Sequence, residues 1–404
     1  MSPDVLATSD IVVVGAGLAG LCTAFELRRR GFDVAVVEQR FPAFGASGRN
    51  PGCLWVQTRR SGAELAIARA ARSKYTEYVD ELGDVFEYRG LGGLFFFETE
   101  DQGRILEDYV RSRRADGVET ELLSRSQATK HAPMLPATAI GAVYCAEDAQ
   151  IDTQQFVGAL SAAIVRSGVR LYENTAVLSV IRQGNHVDGV RTVRGDIRAS
   201  GVVWATGAWT LNLTAEGIVL PVTTARMGQV VTQPVDQRPS AILHGPRGVA
   251  HCGALTDLSS YDASAFAHPH ARPGQGADRL DYDDSLAQNR SGSLVIGAGI
   301  DAYGSLNPHI SIASTEAMVS TTLERYPNQT HLGVTGLWAG LMSDTPDHLP
   351  IVGRIDAAHV NAGHSWGVGS APVAGQVLAE LIAGEQSEFA TVLKADRPSL
   401  EAAR

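Results

Sequence analysis

The first chemistry legible in this chain is set by three glycines and one acid. Asp10-Ile11-Val12-Val13-Val14-Gly15-Ala16-Gly17-Leu18-Ala19-Gly20 reads as a buried strand, a tight turn and the start of a helix. Gly15 permits the turn, Gly17 lets backbone approach a pyrophosphate, and Gly20 lets the helix lie close on the strand. The helix then faces the phosphates with N–H groups and a partial positive charge, so Leu18 and Ala19 belong to the same cradle. A second apolar run, Val34-Ala35-Val36-Val37, ends in Glu38, whose carboxylate would accept hydrogen bonds from a ribose 2′- and 3′-OH. Strand, glycines, helix and acid together indicate a dinucleotide site.

Further stretches bring polar chemistry to glycine-rich backbone. Phe44-Gly45-Ala46-Ser47-Gly48-Arg49-Asn50-Pro51-Gly52 is a loop of N–H donors with an arginine suited to a second diphosphate contact. Gly201-Val202-Val203-Trp204-Ala205-Thr206-Gly207 is a buried strand ending in small residues that allow close approach to a ligand. Gly336 to Gly353 reads as a strand, a loop and a second short strand. Asn361-Ala362-Gly363-His364-Ser365-Trp366-Gly367-Val368-Gly369 leads into a helix expected over roughly 372–383, whose N–H groups face an open cleft. His268 and His270 suggest a metal, but no third ligand is evident and no metal site is expected. Val295-Ile296-Gly297-Ala298-Gly299-Ile300 mimics a second dinucleotide turn and fails, because Ala302 stands where the third glycine belongs and Pro308 breaks any following helix.

The elements that must position these groups follow from periodicity. Helices are expected over 18–30, 62–82, 153–167 (capped by Asp152) and 314–326. Short strands are expected over 91–97, 169–172, 176–181, 187–193 and 196–199. Residues 217–300 alternate like an antiparallel sheet, interrupted at roughly 257–291 by a polar segment read as a long loop. At 404 residues the chain is long enough for two domains or one large α/β unit with insertions. The net charge of −10 leaves no basic footprint for a nucleic-acid partner. Cys22, Cys53, Cys145 and Cys252 have no metal-ligand spacing, and reduced, buried thiols point to a cytoplasmic protein. No stretch reads as a signal peptide or a membrane span.

Taken together, the glycine turn, Glu38, Ala205-Thr206-Gly207, Thr345-Pro346-Asp347 with Pro350-Ile351-Val352-Gly353, and the glycine-rich entry to the last helix occur in the order that resembles the FAD-dependent D-amino-acid oxidase family. That family includes glycine oxidase, sarcosine oxidase and the amino-acid dehydrogenases and deaminases. The resemblance runs from about residue 10 to 385. It implies an α/β fold class, with a discontinuous Rossmann-like FAD-binding domain over 1–85, 150–215 and 331–404. A mainly antiparallel-sheet substrate domain would take 86–149 and 216–330. It further implies that Gln39 and Arg40 lie near the adenine, that Ser47, Gly48 and Arg49 run beside the diphosphate, and that Val177 meets the adenine through its backbone. Gly367, Val368 and Gly369 would sit at the pyrimidine edge of the flavin.

The departures from that family are specific. Where sarcosine oxidases tether the flavin through a cysteine, this chain has Gly340, so the FAD is expected to be non-covalent. Where glycine oxidase-like members carry a carboxylate-clamping arginine, it has Met342. Arg226 and Arg59 are the candidates to replace that arginine, and Gln57 and Trp338 are further substrate-side candidates. His364 and Trp366 are expected beside the flavin, to shape the pocket or accept a proton. Sarcosine oxidases also use a lysine to promote reaction with O₂, and none occurs here between 131 and 393. The implied reaction oxidises a C–N bond of an amino acid or related amine by hydride transfer to flavin N5, with a quinone, carrier protein or partner subunit favoured over O₂ as electron acceptor. The alternatives are an FAD-carrying subunit of a multi-chain amine or opine dehydrogenase and, further off, a flavin monooxygenase.

Overall fold

A computed structural model describes residues 5–184, 186–236, 241–274, 279–289 and 291–401, with the side chains of 249–251 left aside. Two eight-stranded sheets organise the chain. The first has the strand order 351–355, 358–362, 195–204, 5–14, 34–37 and 170–172, with the hairpin 177–183 and 186–192 attached to the strand Gly195–Trp204. Its centre is parallel: Val12, Val13 and Val14 stand opposite Val202, Val203 and Trp204 on one side and Ala35, Val36 and Val37 on the other. Valine on both faces suits a sheet covered by helices above and below.

The helices Leu18–Arg29, Thr153–Arg166 and Gly367–Ala383 cover one face. Asp152 caps the second of these as expected, accepting from the Gln155 amide at 3.0 Å. The helix Ala63–Leu82 joins the same core through Ile67, Ala71 and Tyr75. Tyr75, Tyr78, Phe86 and Phe156 meet there, with Phe86 and Phe156 edge-on at 4.9 Å between ring centroids. Each such ring contributes roughly 1.5–3 kcal/mol by burial. The first and last helices touch so closely that a Cβ on Gly375 would lie 2.8 Å from Cys22.

The second sheet runs 334–344, 223–234, 293–301, 281–288, 242–244, 93–97, 141–145 and 120–124. All its pairings are antiparallel except Ile242–His244 with Gly93–Phe97. The strand Val334–Asp344 therefore hydrogen-bonds into this sheet, although it falls inside the segment 331–404 expected to belong with the first. Val295 to Gly299 lie in a fully buried strand of the second sheet, between Thr223–Pro234 and Asp281–Gln288.

Two expectations need correction. The segment 257–291 is not one long loop: it contains a short 3₁₀ turn, Ala263–Phe266, and the strand Asp281–Gln288. Alternation there was hidden by Asp281, Asp283 and Asp284; residues 275–278 and 290 lie outside the described residues. The last helix begins at Gly367, five residues before Pro372, and Pro372 sits within it.

Candidate functional site

The first strand, the turn at Gly15 and the helix from Leu18 meet the C-terminal end of the strand Gly195–Trp204, and their geometry is that of a phosphate cradle. Gly15 has φ +110°, and a Cβ there would lie 2.4 Å from the Ala205 carbonyl oxygen. A Cβ on Gly20 would lie 1.9 Å from the Gly15 carbonyl oxygen, and one on Gly17 3.0 Å from Ser47 Oγ. The amides of the helix's first turn have no intrahelical acceptor. Leu18 N–H donates to Ser47 Oγ at 2.9 Å, which ties the loop 44–52 to the cradle.

Glu38 stands at the tip of the second strand. Its Oε2 accepts from Ala16 N–H at 3.0 Å and its Oε1 from Arg40 N–H at 2.8 Å. Each oxygen keeps a second lone pair for a ribose hydroxyl. Burial raises its pKa, against the opposing pull of the backbone N–H groups of Ala16, Arg40 and Gln39. Arg49 donates to the Ala339 carbonyl at 3.0 Å and lies 4.9 Å over the Phe44 ring.

A single cavity of about 560 Å³ runs from this cradle to the second sheet. Gly15, Gly17, Leu18, Ala19, Glu38, Gln39, Ser47, Arg49, Val177, Ala205, Thr206 and Gly207 line one part, and Gly340, Met342, His364, Trp366, Gly367 and Val368 another. Arg59 lines it too. A cavity that begins at a dinucleotide turn and reaches a helix N-terminus fits a flavin dinucleotide.

Other sequence candidates lie outside the lining. Gly20, Gly48 and Gly369 serve close contacts instead: a Cβ on Gly48 would meet the Ala43 carbonyl oxygen at 2.2 Å, and one on Gly369 the Trp366 ring at 2.9 Å. Arg40 contributes its backbone N–H to Glu38, and its guanidinium lies 5.8 Å from the Phe44 ring centroid. Arg226 is held bidentately by Asp301, at 2.7 and 2.9 Å, on the far side of its strand. Gln57 is fully buried and donates to Asp148 at 2.6 Å. Trp338 is also absent from the lining. None of these last three, expected as substrate contacts, lines the cavity.

His364 lines the cavity, yet both of its ring nitrogens are engaged. Asn361 Nδ2 donates to Thr23 Oγ1 at 3.1 Å, so Asn361 Oδ1 is the acceptor that His364 Nε2–H meets at 2.8 Å. His364 Nδ1 then accepts from Ser370 Oγ at 2.9 Å. Thr23 in turn donates to the Ala19 carbonyl at 2.7 Å. The chain Ser370–His364–Asn361–Thr23 thus ties the last helix to the first at the cofactor cradle. Burial pushes His364 down to about 4, which keeps the ring neutral near pH 7.

Some lining residues carried no sequence signal. Asp283 is the clearest. In the strand Asp281–Gln288 the register shifts between Tyr282 and Ser285, which stand opposite Gly299 and Gly297. Asp283 and Asp284 thereby share the single partner Ala298, a bulge that re-aims both side chains. Asp283 reaches the cavity and meets His244 Nε2 at 2.8 Å, while Asp284 meets Arg325 at 2.8 Å. Asp344 lines the cavity beside His348, whose pKa its hydrogen bond raises. His268 and His270 are engaged elsewhere: His268 stacks on Tyr282 and meets Thr321, and His270 meets Glu324.

Comparison with known proteins agrees with this geometry. The chain is 27% identical over 395 residues to the bifunctional protein ThiO/ThiG of Nostoc sp., covering 94% of this chain but only 54% of that one, so it spans about half the length of that relative. It is 25% identical to the sarcosine oxidase subunit beta of Arthrobacter sp., covering 96% of this chain and 90% of the other. Its fold is similar to the crystal structure of glycine oxidase from Geobacillus kaustophilus, with a TM-score of 0.81 at 22% identity over 97% of this chain and 99% of that one. The family model described as DAO, FAD dependent oxidoreductase, matches residues 10–381. The chain belongs to the DAO family of FAD-dependent oxidoreductases, and FAD is its cofactor.

Proposed function

We propose that this protein oxidises the C–N bond of an amino acid or related amine to an imine. The observation that carries the reading is the continuity of one cavity from the dinucleotide cradle at Gly15 to the second sheet at Met227, Gln229 and Ser285. Bound FAD supplies the two-electron acceptor for the hydride leaving the α-carbon. The chain's own residues orient and enclose. The amides at the start of the helix Gly367–Ala383 offer positive charge to the cavity. His364 holds that helix start and has no ring nitrogen left to take a substrate proton, so its role here is positioning. Trp366 walls the cavity beside it.

Two features support finer readings. Gly340 offers no sulfur for attachment, and Cys53, the cysteine that lines the cavity, is kept protonated by burial. Both favour non-covalent FAD. The absence of lysine between 131 and 393 favours a dehydrogenase or deaminase over an oxidase. The likeness to a sarcosine oxidase subunit beta supports a second reading, an FAD-carrying subunit that works with partner chains. No helix among the described residues is long and apolar enough to cross a membrane. All four cysteines are free, which supports a cytoplasmic setting. The test is turnover by the isolated, FAD-loaded chain with an artificial electron acceptor, compared with O₂ uptake. Acceptor-dependent turnover without matching O₂ uptake supports a self-sufficient dehydrogenase. Turnover only after adding partner chains supports the subunit reading.

A further inference from the structure

Most buried carboxylates among the described residues hold a cation of the chain itself. Glu26 meets Lys74, Glu64 meets Arg60, Asp196 meets Arg191, Asp284 meets Arg325 and Asp301 meets Arg226. Glu38 and Asp148 are the two that do not, and N–H groups hold both of them instead. Glu38 does this at the dinucleotide turn. Asp148 does it behind the segment 53–59, outside the cavity lining but one layer from it. An anion buried without a counter-charge calls for an explanation.

A short ladder sets the geometry. Cys53 and Leu54 pair antiparallel with Gln150 and Ala149, which brings the residues after Leu54 alongside Asp148. Asp148 Oδ1 accepts from the Val56 amide at 2.7 Å and the Gln57 amide at 3.1 Å. Its Oδ2 accepts from Gln57 Nε2 at 2.6 Å, and the Gln57 carbonyl accepts from the Tyr109 hydroxyl at 2.6 Å. The pleat sends Leu54 and Val56 into the core and Cys53 and Trp55 to the cavity, with Arg59 following after a turn. Arg59 lies 4.6 Å over the Trp366 ring, next to the start of the last helix. All three bonds to Asp148 come from donors, while Gln57 Oε1 is buried without a partner. A proton on Oδ2 would set donor against donor at Gln57 Nε2. Turning the Gln57 amide over presents Oε1 to that proton instead.

The titratable groups around Asp148 are Cys53 and Arg59 on this segment, Tyr144 and Cys145 on the strand Gly141–Cys145, and Tyr109 on the helix Glu100–Ala115. The strand Gly93–Phe97 contributes the Gly93 backbone, where an added Cβ would lie 2.6 Å from Asp148 Oδ2. Burial keeps the thiols and phenols neutral, and Glu147 is paired with Arg69, so Arg59 is the charge that favours ionised Asp148. Burial outweighs that charge and the bonds from Gln57 and Val56, and pushes Asp148 up to about 6.

We propose that Asp148 is a positioning residue of this active site: ionised, it fixes the segment 53–59 as the cavity wall against the last helix, and its protonation turns the Gln57 amide and loosens that wall. It acts through Val56 and Gln57. The inference adds a proton-linked control to the cavity, and it rests on the proposed function only in taking that cavity as the active site.

The experiment needs no turnover. Tryptophan fluorescence and its quenching by acrylamide are followed in FAD-loaded protein from about pH 8 to about pH 5, a range that brackets an elevated carboxyl and an ordinary histidine. The wild type should show a transition centred near pH 6, with stronger quenching on the acid side. Trp55→Phe should remove most of it, which places it in the segment. Asp148→Asn keeps the shape of the protonated side chain, so it should show the acid-side signal throughout, with the FAD dissociation constant unchanged. Gln57→Met removes the shortest bond to the ionised form and should move the midpoint up by about one pH unit or more. If Asp148→Asn does not fold, that midpoint alone decides. The proposal is overturned if the wild type shows no transition, if Trp55→Phe keeps its full amplitude, or if Gln57→Met leaves the midpoint in place. It is also overturned if the transition survives in Asp148→Asn, which assigns it to His348 on the cavity lining or to His244, edge-on to Trp55 at 5.3 Å and paired with Asp283. FAD affinity that follows the same pH curve overturns it too, and assigns the proton to the cofactor site. A flavin that no amine reduces sinks the amine oxidation and leaves these outcomes readable, and a missing transition leaves amine oxidation untouched.

Discussion

The Tyr75 hydroxyl donates to the Val368 carbonyl at 2.9 Å, inside the core. That carbonyl is the one Pro372 leaves without a helical partner, because proline has no N–H to return to the residue four before it. The pair explains how a helix with proline in its second turn starts as early as Gly367, and so brings its N-terminal amides to the cavity. Tyr75→Phe should therefore leave a buried carbonyl unpaired and cost about 1–3 kcal/mol. Urea unfolding would show it as a lower midpoint at unchanged slope. A midpoint equal to wild type would mean that the carbonyl finds another donor.

The cofactor cradle makes a steric prediction. Gly20→Ala would push a methyl group to 1.9 Å from the Gly15 carbonyl oxygen, backbone that cannot swing away. We expect FAD content of the purified variant to fall to a small fraction of wild type. Glu38→Gln keeps shape but removes charge-assisted hydrogen bonds to Ala16 and Arg40, and should weaken FAD by about tenfold or more. Fluorescence titration of apoprotein with FAD measures both.

The FAD should be extractable. Acid precipitation of the yellow protein is expected to leave the flavin in the supernatant, because Gly340 presents no attachment atom and burial disfavours the Cys53 thiolate. Flavin fluorescence retained on the precipitated polypeptide would contradict this.

Acid should destabilise the fold in two steps with the same sign. His364 has its pKa lowered to about 4 by burial, so the unfolded chain binds the extra proton first. Its contribution is complete above the ordinary histidine value of 6.5 and fades as pH falls from there toward 4. Asp347 is pushed up by burial, but Arg397 and Ser399 outweigh that and hold it at about 2. Its contribution is present above 3.8 and fades as pH falls toward 2. Melting temperature measured against pH should fall through both windows. His364→Gln should make the first shallower, since burial also lowers His268 and His359 in the same range, and should leave the pH profile of flavin reduction unchanged if the residue only positions. Asp347→Asn should make the second shallower, with Glu26 and Glu147, held down by Lys74 and Arg69, carrying the remainder.

Much of this architecture is legible in the sequence because local rules and tertiary demands agree there. The turn at Gly15, the acid at Glu38 and the cap at Asp152 each carry their own residue signature within a few positions. The parts that escaped depend on partners far away in the chain. Arg226 and Arg59 look equivalent as sequence, and only the approach of Asp301 to the first separates them. Asp283 sits in a polar run without alternation, and the bulge that turns it into the cavity arises from pairing with the strand Ser293–Asp301. The early start of the last helix was hidden because Pro372 reads as a first-turn residue, and Tyr75, nearly three hundred positions away, removes the penalty. Thr345-Pro346-Asp347, part of the family likeness, turns out to anchor the C-terminal segment through Arg397.

The most direct measurement is anaerobic mixing of FAD-loaded protein with D- and L-amino acids, N-methyl amino acids, opines and simple amines, followed at the yellow flavin band. The account predicts that the band bleaches with at least one member of the panel. Protein that takes up no FAD, or a flavin that stays oxidised with every member of the panel, would contradict it.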